Sequence, residues 1–288
     1  MNSSLDCLPC FVRQILDSMR RYSDDTAFQE TAVRELLHDL ADADWRVSPP
    51  VLAQNIHRRL RRQTGLSDPY LTQKREHNEL ALSLLSGLWK EVDQSPDPLL
   101  CAVQVAIAGN IIDLGVKTNV REVDLVQSIQ YALQEPLGGD PGLFRKAVAE
   151  AETILYLADN AGEIIFDRLL IEQLGPERVT LAVRGAPILN DALLEDARLA
   201  GLEGRVRIID NGCDVPGTDL SQCSDEFRSL FHTADLILSK GQGNFETLSE
   251  IQANIFFLFK VKCPVVAGTS GQPLGAQVLL AQSEGVQR

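Results

Sequence analysis

The sequence predicts an α/β protein: a three-layer α/β/α fold around a mostly parallel, Rossmann-like sheet, with an α-helical N-terminal region. Apolar residues recur at helical spacing through residues 1–135, which predicts helices. Beyond residue 140, short β-branched runs alternate with amphipathic segments, the pattern of a parallel sheet covered by helices. A polar, glycine-rich cluster follows four of those runs. We therefore expect an α-helical region over residues 1–140 and an α/β/α domain over residues 141–288.

The N-terminal helices are predicted from apolar positions spaced three and four residues apart. Two such sets are Ala32, Leu36, Leu37 and Leu40, and Leu80, Leu84, Leu85 and Leu88. The more continuously apolar segment from Val103 to Ile112 predicts a buried helix that ends near Gly115. The segment 135–142 is rich in proline and glycine, so it is the strongest break in the chain and the predicted domain junction.

The strands of the sheet are predicted from four short apolar runs, and the helices between them from amphipathic segments. The strands are residues 153–158, 179–183, 206–210 and 235–239, and the helices are residues 163–174, 191–200, 225–233 and 244–252. A last apolar stretch, residues 255–267, predicts one or two further strands. The tail from Gly271 to Arg288 predicts a helix followed by a frayed end.

Charge and composition exclude several classes of protein. Lysine and arginine number 27 against 40 aspartate and glutamate, a formal net charge of −13, which argues against binding to nucleic acid or an anionic membrane. No apolar stretch is long enough to span a bilayer, and the N-terminus lacks a basic segment followed by an apolar core. Six cysteines are too few for a disulfide framework, so we expect a cytoplasmic protein. The charge leaves room for an anionic small molecule in a positive pocket.

Asp159 and Asn160 follow the first predicted strand and begin the segment Asp159-Asn160-Ala161-Gly162-Glu163. Carboxylate and amide oxygens are the ligands that Mg²⁺ or Mn²⁺ prefers, and a helix starting here would aim free N–H groups at the same point. The alternative is a helix cap, with Glu163 in the capping-box position. Taken alone, the segment favours the cap, because caps are far commoner than metal sites.

Asp191 and Arg184 both follow the second predicted strand. Asp191 precedes a helical segment, so a cap and a metal ligand are equally good interpretations of it. As a ligand it would lie beside Asp159, where a divalent ion would neutralise the pair; without an ion, one of the two carboxylates would have a raised pKa. Arg184 is predicted either to bind an oxyanion or to form a surface ion pair.

Lysines near the ends of two later runs are candidates for binding phosphate. Lys240 begins Lys240-Gly241-Gln242-Gly243-Asn244, where two glycines allow a ligand to approach the backbone closely and the lysine supplies a point charge. The segment is not a P-loop, because the spacing and the Lys-Ser/Thr ending are missing. Lys260 and Lys262 share one face of a strand; they either protect an edge strand or, for Lys262 in particular, face an anionic ligand.

Two other patterns are interpreted as structural. Cys7-x-x-Cys10 could be half of a metal site or a redox pair, but no second CxxC follows, which favours reduced structural thiols. The run of arginines in residues 57–62 is interpreted as a solvated helix face rather than a nucleic-acid patch.

In their order along the chain, these motifs resemble the DUF89 family, and more narrowly its CxxC-bearing prokaryotic branch with an ARMT1-like, damage-control phosphatase domain. The resemblance rests on Cys7-x-x-Cys10-Phe11, Gly109-Asn110-x-x-Asp113, Asp159-Asn160-Ala161-Gly162-Glu163, Arg184-Gly185-x-Pro187-Ile188-x-Asn190-Asp191 and Ser239-Lys240-Gly241-Gln242-Gly243-Asn244. It spans the chain from Cys7 to about Gly268. Each motif is weak alone, whereas the ordered combination is specific.

The resemblance implies a metal-dependent phosphatase whose α/β/α domain holds a divalent metal (Mn²⁺, Mg²⁺, Ni²⁺ or Co²⁺) on Asp159, Asn160 and Asp191. We expect it to hydrolyse small phosphomonoesters, namely damaged or surplus phosphometabolites. Asp159 and Lys240 are the expected catalytic residues. The expected substrate-binding residues are Asn110, Asp113, Gly162, Glu163, Arg184, Asn244 and Lys262.

Several alternatives stay open at this point. The attacking group is either a water molecule or the Asp159 carboxylate itself. The substrate is a sugar phosphate, a nucleotide or a cofactor phosphate, and the sequence predicts no oligomeric state. The rival functions are an S-adenosylmethionine-dependent carboxyl methyltransferase, because a eukaryotic relative has been called one, and a non-catalytic phosphometabolite-binding protein.

Overall fold

The computed structural model describes residues 1–109 and 122–282. The N-terminal helices are α1 (Leu8–Tyr22), α2 (Thr26–Ala41), α3 (Pro49–Thr64), α4 (Leu71–Gln94), α5 (Pro98–Ala108) and α6 (Glu122–Gln134). The strands are β1 (Leu137–Gly139), β2 (Ile154–Leu157), β3 (Val179–Val183), β4 (Arg207–Asp210), β5 (Leu236–Lys240), β6 (Ile255–Lys260) and β7 (Gln277–Ala281). The helices between the strands are α7 (Pro141–Glu150), α8 (Glu163–Leu174), α9 (Leu194–Leu199), α10 (Asp225–Thr233), α11 (Gln242–Leu248) and α12 (Pro264–Ser270). None of the helices in the described residues has the length and apolarity that crossing a membrane requires.

The strands form one sheet in the order β1-β7-β6-β5-β2-β3-β4. Neighbouring strands run parallel except β6 and β7, which are antiparallel. The chain moves outward from β2 through β3 to β4 and then returns to β5 on the other side of β2. Strand order therefore reverses between β2 and β5, and open α/β sheets bind ligands at such a reversal.

Helices cover both faces of the sheet, which confirms the predicted three-layer α/β/α fold. All four side chains of β2 are buried, as expected for a central strand covered on both sides. Successive side chains enter different cores: Ile154 and Tyr156 pack with residues of α4, α5 and α8, whereas Leu155 and Leu157 pack with Phe227 of α10. Helices α1, α2 and α3 build a further core among themselves.

Two predictions for the C-terminal part of the chain are wrong. The stretch 255–267, predicted to form one or two strands, forms one, β6; residues 264–267 instead begin α12, because Pro264 occupies the first helical turn, where a missing N–H costs nothing. The tail predicted as a helix contains β7, which pairs with β6 and buries Val278 and Leu279 between the layers. Strand β7 also pairs with β1, so residues 137–139 in the predicted junction belong to the sheet.

The arginine-rich run on α3 is only partly the solvated face that the sequence predicted: Arg58 and Arg62 are exposed, whereas Arg61 is partly buried. Arg58 and Arg61 each place a guanidinium nitrogen 2.5 Å from a carboxylate oxygen of Asp214, which lies beyond the end of β4. Arg61 also donates to the carbonyl oxygen of Pro187, in the loop after β3. These contacts hold α3 against the carboxyl edge of the sheet.

Candidate active site

The candidate site lies where strand order reverses, at the carboxyl ends of β2, β3 and β5. Asp159 and Asn160 follow β2, Arg184 follows β3, and Gly241 follows β5. Asp191, later in the loop after β3, lies against Asn160 in an isolated antiparallel bridge. The residues that follow these strands were predicted to meet at one edge of the sheet. In the structure they lie together there.

Arg184 and a backbone hydrogen bond bring Asp159 and Asp191 together. The N–H of Ala192 donates to the carbonyl oxygen of Asp159 at 2.8 Å. Arg184 Nε donates to Asp191 Oδ2 at 2.6 Å, and Arg184 Nη2 lies 3.8 Å from Asp159 Oδ1. One buried guanidinium therefore faces both carboxylates, which differs from the predicted oxyanion contact and from the predicted surface ion pair.

Asn160 completes the polar cluster with its side-chain amide. Its Nδ2 donates to Asp159 Oδ2 at 2.9 Å and to Glu163 Oε1 at 2.8 Å. Because the amide nitrogen faces these two carboxylates, Oδ1 is the atom left to accept from, or bind to, a ligand. Asp159, Asn160 and Asp191 all line the same cavity.

The two aspartates form a strongly negative, buried site. Burial, Glu163 and Asp191 raise the pKa of Asp159 well above its usual value. Burial raises the pKa of Asp191 to about 6, although Arg184 opposes the shift.

A divalent cation fits this donor set, because it would relieve the repulsion between the carboxylates. Carboxylate and amide oxygens are hard ligands of the kind that Mg²⁺ and Mn²⁺ prefer. Among the residues described, no group of three or more His, Cys, Asp or Glu side chains is arranged to hold a metal ion. The fit therefore depends on Asp159, Asp191 and the amide oxygen of Asn160 acting together.

Gly241 allows the loop after β5 to pass directly against Asp159. Its φ is +80°, and a Cβ placed on it would lie 1.9 Å from Asp159 Oδ2. Any side chain would therefore displace the carboxylate, and only glycine adopts this backbone conformation readily. The glycines after Lys240 were predicted to allow close approach of a ligand; at Gly241 the group that approaches is the Asp159 side chain.

A cavity of about 320 Å³ opens from the aspartates toward the N-terminal helices. Phe11 of α1 and Pro50 of α3 contribute apolar wall, and Lys262 contributes a positive charge. Lys262 is exposed, and in residues 1–109 and 122–282 it has no ion-pair partner. Of the lysines considered, Lys262 is the one placed to meet an anion in this cavity.

Lys240 does not reach the cavity, which corrects the expectation that it binds phosphate. Its Nζ lies 2.6 Å from Asp167 Oδ1 and 3.4 Å from Glu163 Oε2, and it donates to the carbonyl oxygen of Ala106 at 2.8 Å. Burial alone would lower the pKa of Lys240, but Asp167 and Glu163 outweigh burial and raise it. Asp167 was not predicted from the sequence. It lies one turn after the start of α8 and belongs to no recognisable motif.

Three other predicted substrate-binding residues also lie behind the cavity wall. Asn244 is fully buried: its Nδ2 donates to the carbonyl oxygens of Ala158 and Lys240, and its Oδ1 accepts from Thr218. The N–H of Gly162 donates to Asn78 of α4. Glu163 is turned toward Asn160 and Lys240. These residues support the loops that carry the site, because their polar groups are already occupied. Asn110 and Asp113 lie outside the described residues.

Glu246 lines the cavity and was missed from the sequence. Gln242 Nε2 donates to Glu246 Oε1 at 2.8 Å, while Gln242 Oε1 accepts from the backbone N–H of Lys262 at 3.0 Å. Burial raises the pKa of Glu246 to about 7, although the hydrogen bond from Gln242 opposes the shift. The available signal was its spacing, one helical turn after Gln242 on the helix that follows β5.

The N-terminal CxxC also reaches this cavity. Cys7 and Cys10 line it together with Cys263, which precedes α12. All three are free thiols, and burial raises the pKa of Cys7 and of Cys10. The interpretation as reduced structural thiols stays a prediction, and the position of these cysteines beside the aspartates was not predicted.

Comparisons with known proteins extend over nearly the whole chain. A family model described as the damage-control phosphatase ARMT1-like domain matches residues 3–278. A protein from Pyrococcus horikoshii named damage-control phosphatase is 34% identical over 97% of this chain and 98% of that protein. A protein of the same name from Archaeoglobus fulgidus is 35% identical over 94% of this chain and 96% of that protein. The crystal structure of a DUF89 family protein from Pyrococcus horikoshii has a TM-score of 0.90, at 34% identity over 98% of this chain and 100% of that chain.

Proposed function

This chain belongs to the damage-control phosphatase ARMT1-like domain family, and on that premise we propose that it is a metal-dependent phosphatase of small phosphomonoesters. The proposed substrates are damaged or surplus phosphometabolites such as sugar phosphates, nucleotides or cofactor phosphates. The observation that carries the proposal is the convergence of Asp159, Asn160 and Asp191 at the reversal of strand order, on a cavity that also holds Lys262.

We infer that Asp159, Asn160 and Asp191 hold the divalent metal, and we propose Mn²⁺, Mg²⁺, Ni²⁺ or Co²⁺ as the ion. Once bound, such an ion stabilises the negative charge that develops on a phosphoryl group during transfer. The carboxylates must be ionised to hold it, and Arg184 helps to keep them so. Its hydrogen bond to Asp191 also fixes the direction in which that carboxylate points.

Other side chains of the site bind the substrate or position the ligands. Lys262 supplies a point charge for phosphoryl oxygens at the cavity wall. Lys240 lies behind the cavity wall. Its ion pairs with Asp167 and Glu163 hold Glu163 against Asn160, and that contact orients the Asn160 amide. In this proposal Lys240 is a positioning residue rather than a catalytic one.

The test measures phosphate release from sugar phosphates, nucleotides and cofactor phosphates, after chelation and after each divalent ion is added back. We expect release only with a divalent ion. Asp159→Asn and Asp191→Asn should each lower kcat at least ~100-fold, about 2.7 kcal/mol of transition-state stabilisation. Asp6→Asn is the matched control: Asp6 lines the same cavity outside the donor set, so this variant should keep its activity.

Two results would overturn the proposal. Full activity in both aspartate variants, with circular dichroism confirming that they fold, would remove the donor set from catalysis. Methyl transfer from S-adenosylmethionine with no phosphate release from any substrate of the panel would assign the cleft to a different reaction.

A further inference from the structure

A pair of cysteines beneath the site is arranged as a dithiol, and no part of the proposed phosphatase chemistry uses it. The Sγ atoms of Cys213 and Cys223 lie 3.8 Å apart, and one thiol donates a hydrogen bond to the other. The side chains are 5% and 4% exposed. A disulfide needs an S–S separation of about 2.05 Å, so the two sulfurs must approach each other by less than 2 Å to bond.

The loop that carries both cysteines is closed at its base by hydrogen bonds. The N–H of Ser224 donates to the carbonyl oxygen of Asn211 at 3.0 Å, and the N–H of Cys213 donates to Asn211 Oδ1 at 3.1 Å. The loop ends are therefore already together. A crosslink between Cys213 and Cys223 would add little chain-ordering cost.

The two thiols are chemically unequal. The hydrogen bond between the two thiols lowers the pKa of Cys213 to about 7, despite burial, and Arg184 contributes to the same shift. The same hydrogen bond, together with burial, raises the pKa of Cys223. The thiolate is the nucleophilic form of cysteine, so the lowered pKa favours Cys213 as the attacking sulfur.

We propose that Cys213 and Cys223 form a redox pair that reduces hydroperoxides, with Cys213 as the attacking thiol and Cys223 as the resolving thiol. The Cys213 sulfur attacks the terminal oxygen of the hydroperoxide, the O–O bond breaks, and the leaving oxygen takes a proton to become an alcohol or water. The resulting sulfenic acid condenses with the Cys223 thiol, forming the disulfide and releasing one water molecule. The two thiols together lose two electrons and two protons to the hydroperoxide.

The position of the pair connects it to the candidate site. The N–H of Gly185 donates to the carbonyl oxygen of Cys213 at 2.9 Å, and Gly185 directly follows the Arg184 that faces both aspartates. Asp214, which holds α3, directly follows Cys213. Oxidation would therefore crosslink a loop that contacts Gly185 and carries Asp214, next to the candidate site. It would not modify any residue proposed to bind metal or phosphate.

The experiment exposes the whole wild-type protein to hydrogen peroxide, blocks the remaining thiols and maps the peptides without reduction. We expect a crosslink between Cys213 and Cys223. Cys101, on α5, is the internal control and should stay reduced. Glutathione disulfide should act much more slowly than peroxide, because the pair is buried.

Two single variants test the assigned roles. In Cys223→Ser the resolving thiol is missing, so Cys213 should stop at the sulfenic acid and be labelled by dimedone. In Cys213→Ser, Cys223 should remain unlabelled. Circular dichroism checks that both variants fold.

The inference is wrong if both thiols stay free while other cysteines oxidise, or if wild-type Cys213 proceeds to a sulfinic acid without a crosslink. Dimedone labelling of Cys223 in the Cys213→Ser variant would reverse the assigned roles. Peptide mapping does not depend on phosphate release, so the redox pair and the phosphatase can fail separately.

Discussion

At the scale of single residues, the site depends on two acidic side chains placed where their charges conflict. The two carboxylates repel each other, and the negative charge of Asp191 contributes to the raised pKa of Asp159. Arg184 offsets part of that repulsion for Asp191 and less for Asp159, because its contact with Asp159 is longer. A cation held by the proposed donor set would offset the remainder.

Replacing Lys262 should weaken substrate binding. Lys262 lines the cavity, where we propose that it binds phosphate, so Lys262→Met should raise KM for a phosphorylated substrate roughly tenfold, about 1.4 kcal/mol, measured by steady-state kinetics. Lys260→Met is the matched control, since Lys260 lies two residues away and pairs with Glu135 instead. An equal effect of both substitutions would contradict the assigned role.

Glu246 should make the protein less stable as pH rises. Burial raises its pKa from 4.5 to about 7, so between those pH values the folded state holds a proton that the unfolded state has released. The free energy of unfolding therefore falls as pH rises through this window. Glu246→Gln should remove that fall and stabilise the protein at pH 8 by on the order of 2 kcal/mol.

Urea unfolding at pH 4 and at pH 8 measures this effect. The two proteins should have similar stability at pH 4 and should differ at pH 8. Glu91→Gln, on the exposed face of α4, should leave the pH profile of stability unchanged. A profile of Glu246→Gln that parallels the wild type would show that Glu246 is ionised in the folded protein.

At the scale of elements, the turns after the strands carry the chemistry and the helices behind them fix its geometry. The turn after β2 supplies Asp159 and Asn160, and the turn after β5 supplies Gly241, which leaves space for the aspartate. Helix α3 is tied to the same edge through Asp214. The cavity therefore has one wall from the sheet and one wall from the N-terminal helices.

Gly241→Ala should disrupt the site and destabilise the fold together. A β-carbon would meet the Asp159 carboxylate at 1.9 Å from a backbone with φ of +80°, which should cost at least ~2 kcal/mol and abolish Mn²⁺ binding. Thermal unfolding and calorimetry with Mn²⁺ measure the two effects. Gly268→Ala, in α12 with open space around the position, should be neutral or slightly stabilising. Mn²⁺ affinity retained in Gly241→Ala would contradict the description of this turn.

Asp214→Asn should loosen α3. Burial alone would raise the pKa of Asp214, but hydrogen bonds from Arg58 and Arg61 outweigh it and lower the pKa to about 2. The ion pairs therefore stabilise the fold above about pH 4 and stop doing so as pH falls toward 2. Because Arg58 is partly exposed, we expect a loss of about 1 kcal/mol at pH 7.

Chemical unfolding at pH 7 and pH 2.5 checks this prediction. The difference between Asp214→Asn and the wild type should shrink at the lower pH. Asp44→Asn breaks an exposed aspartate–arginine pair and should have no measurable effect. A similar loss of stability in both variants, or a loss that does not depend on pH, would mean that the ion pairs between α3 and Asp214 do not specifically stabilise the fold.

The elements that could be predicted from the sequence are those with a local signal. Strand β3 and helix α10 match their predicted bounds, because an apolar run and an amphipathic run each end at a glycine, proline or polar break. Strand β7 could not be predicted in this way, because its partners β6 and β1 are distant in the chain. The same holds at the site: Asp159 and Asp191 follow strands, whereas Asp167, the partner of Lys240, has no local signal.

At the scale of the whole molecule, the fold and the family agree with the resemblance read from the motifs. The family match and the structural likeness both cover the N-terminal helices as well as the sheet. Helices α4 and α5 of that N-terminal region form part of one layer of the sandwich, and α1 and α3 supply part of the cavity wall. The division into residues 1–140 and 141–288 and the cytoplasmic location remain predictions.

The most direct measurement is anomalous diffraction from a crystal of this protein soaked in manganese. We expect a manganese peak in the cleft, coordinated by oxygens of Asp159, Asn160 and Asp191. A manganese peak elsewhere, with these three side chains unchanged and no peak between them, would contradict it.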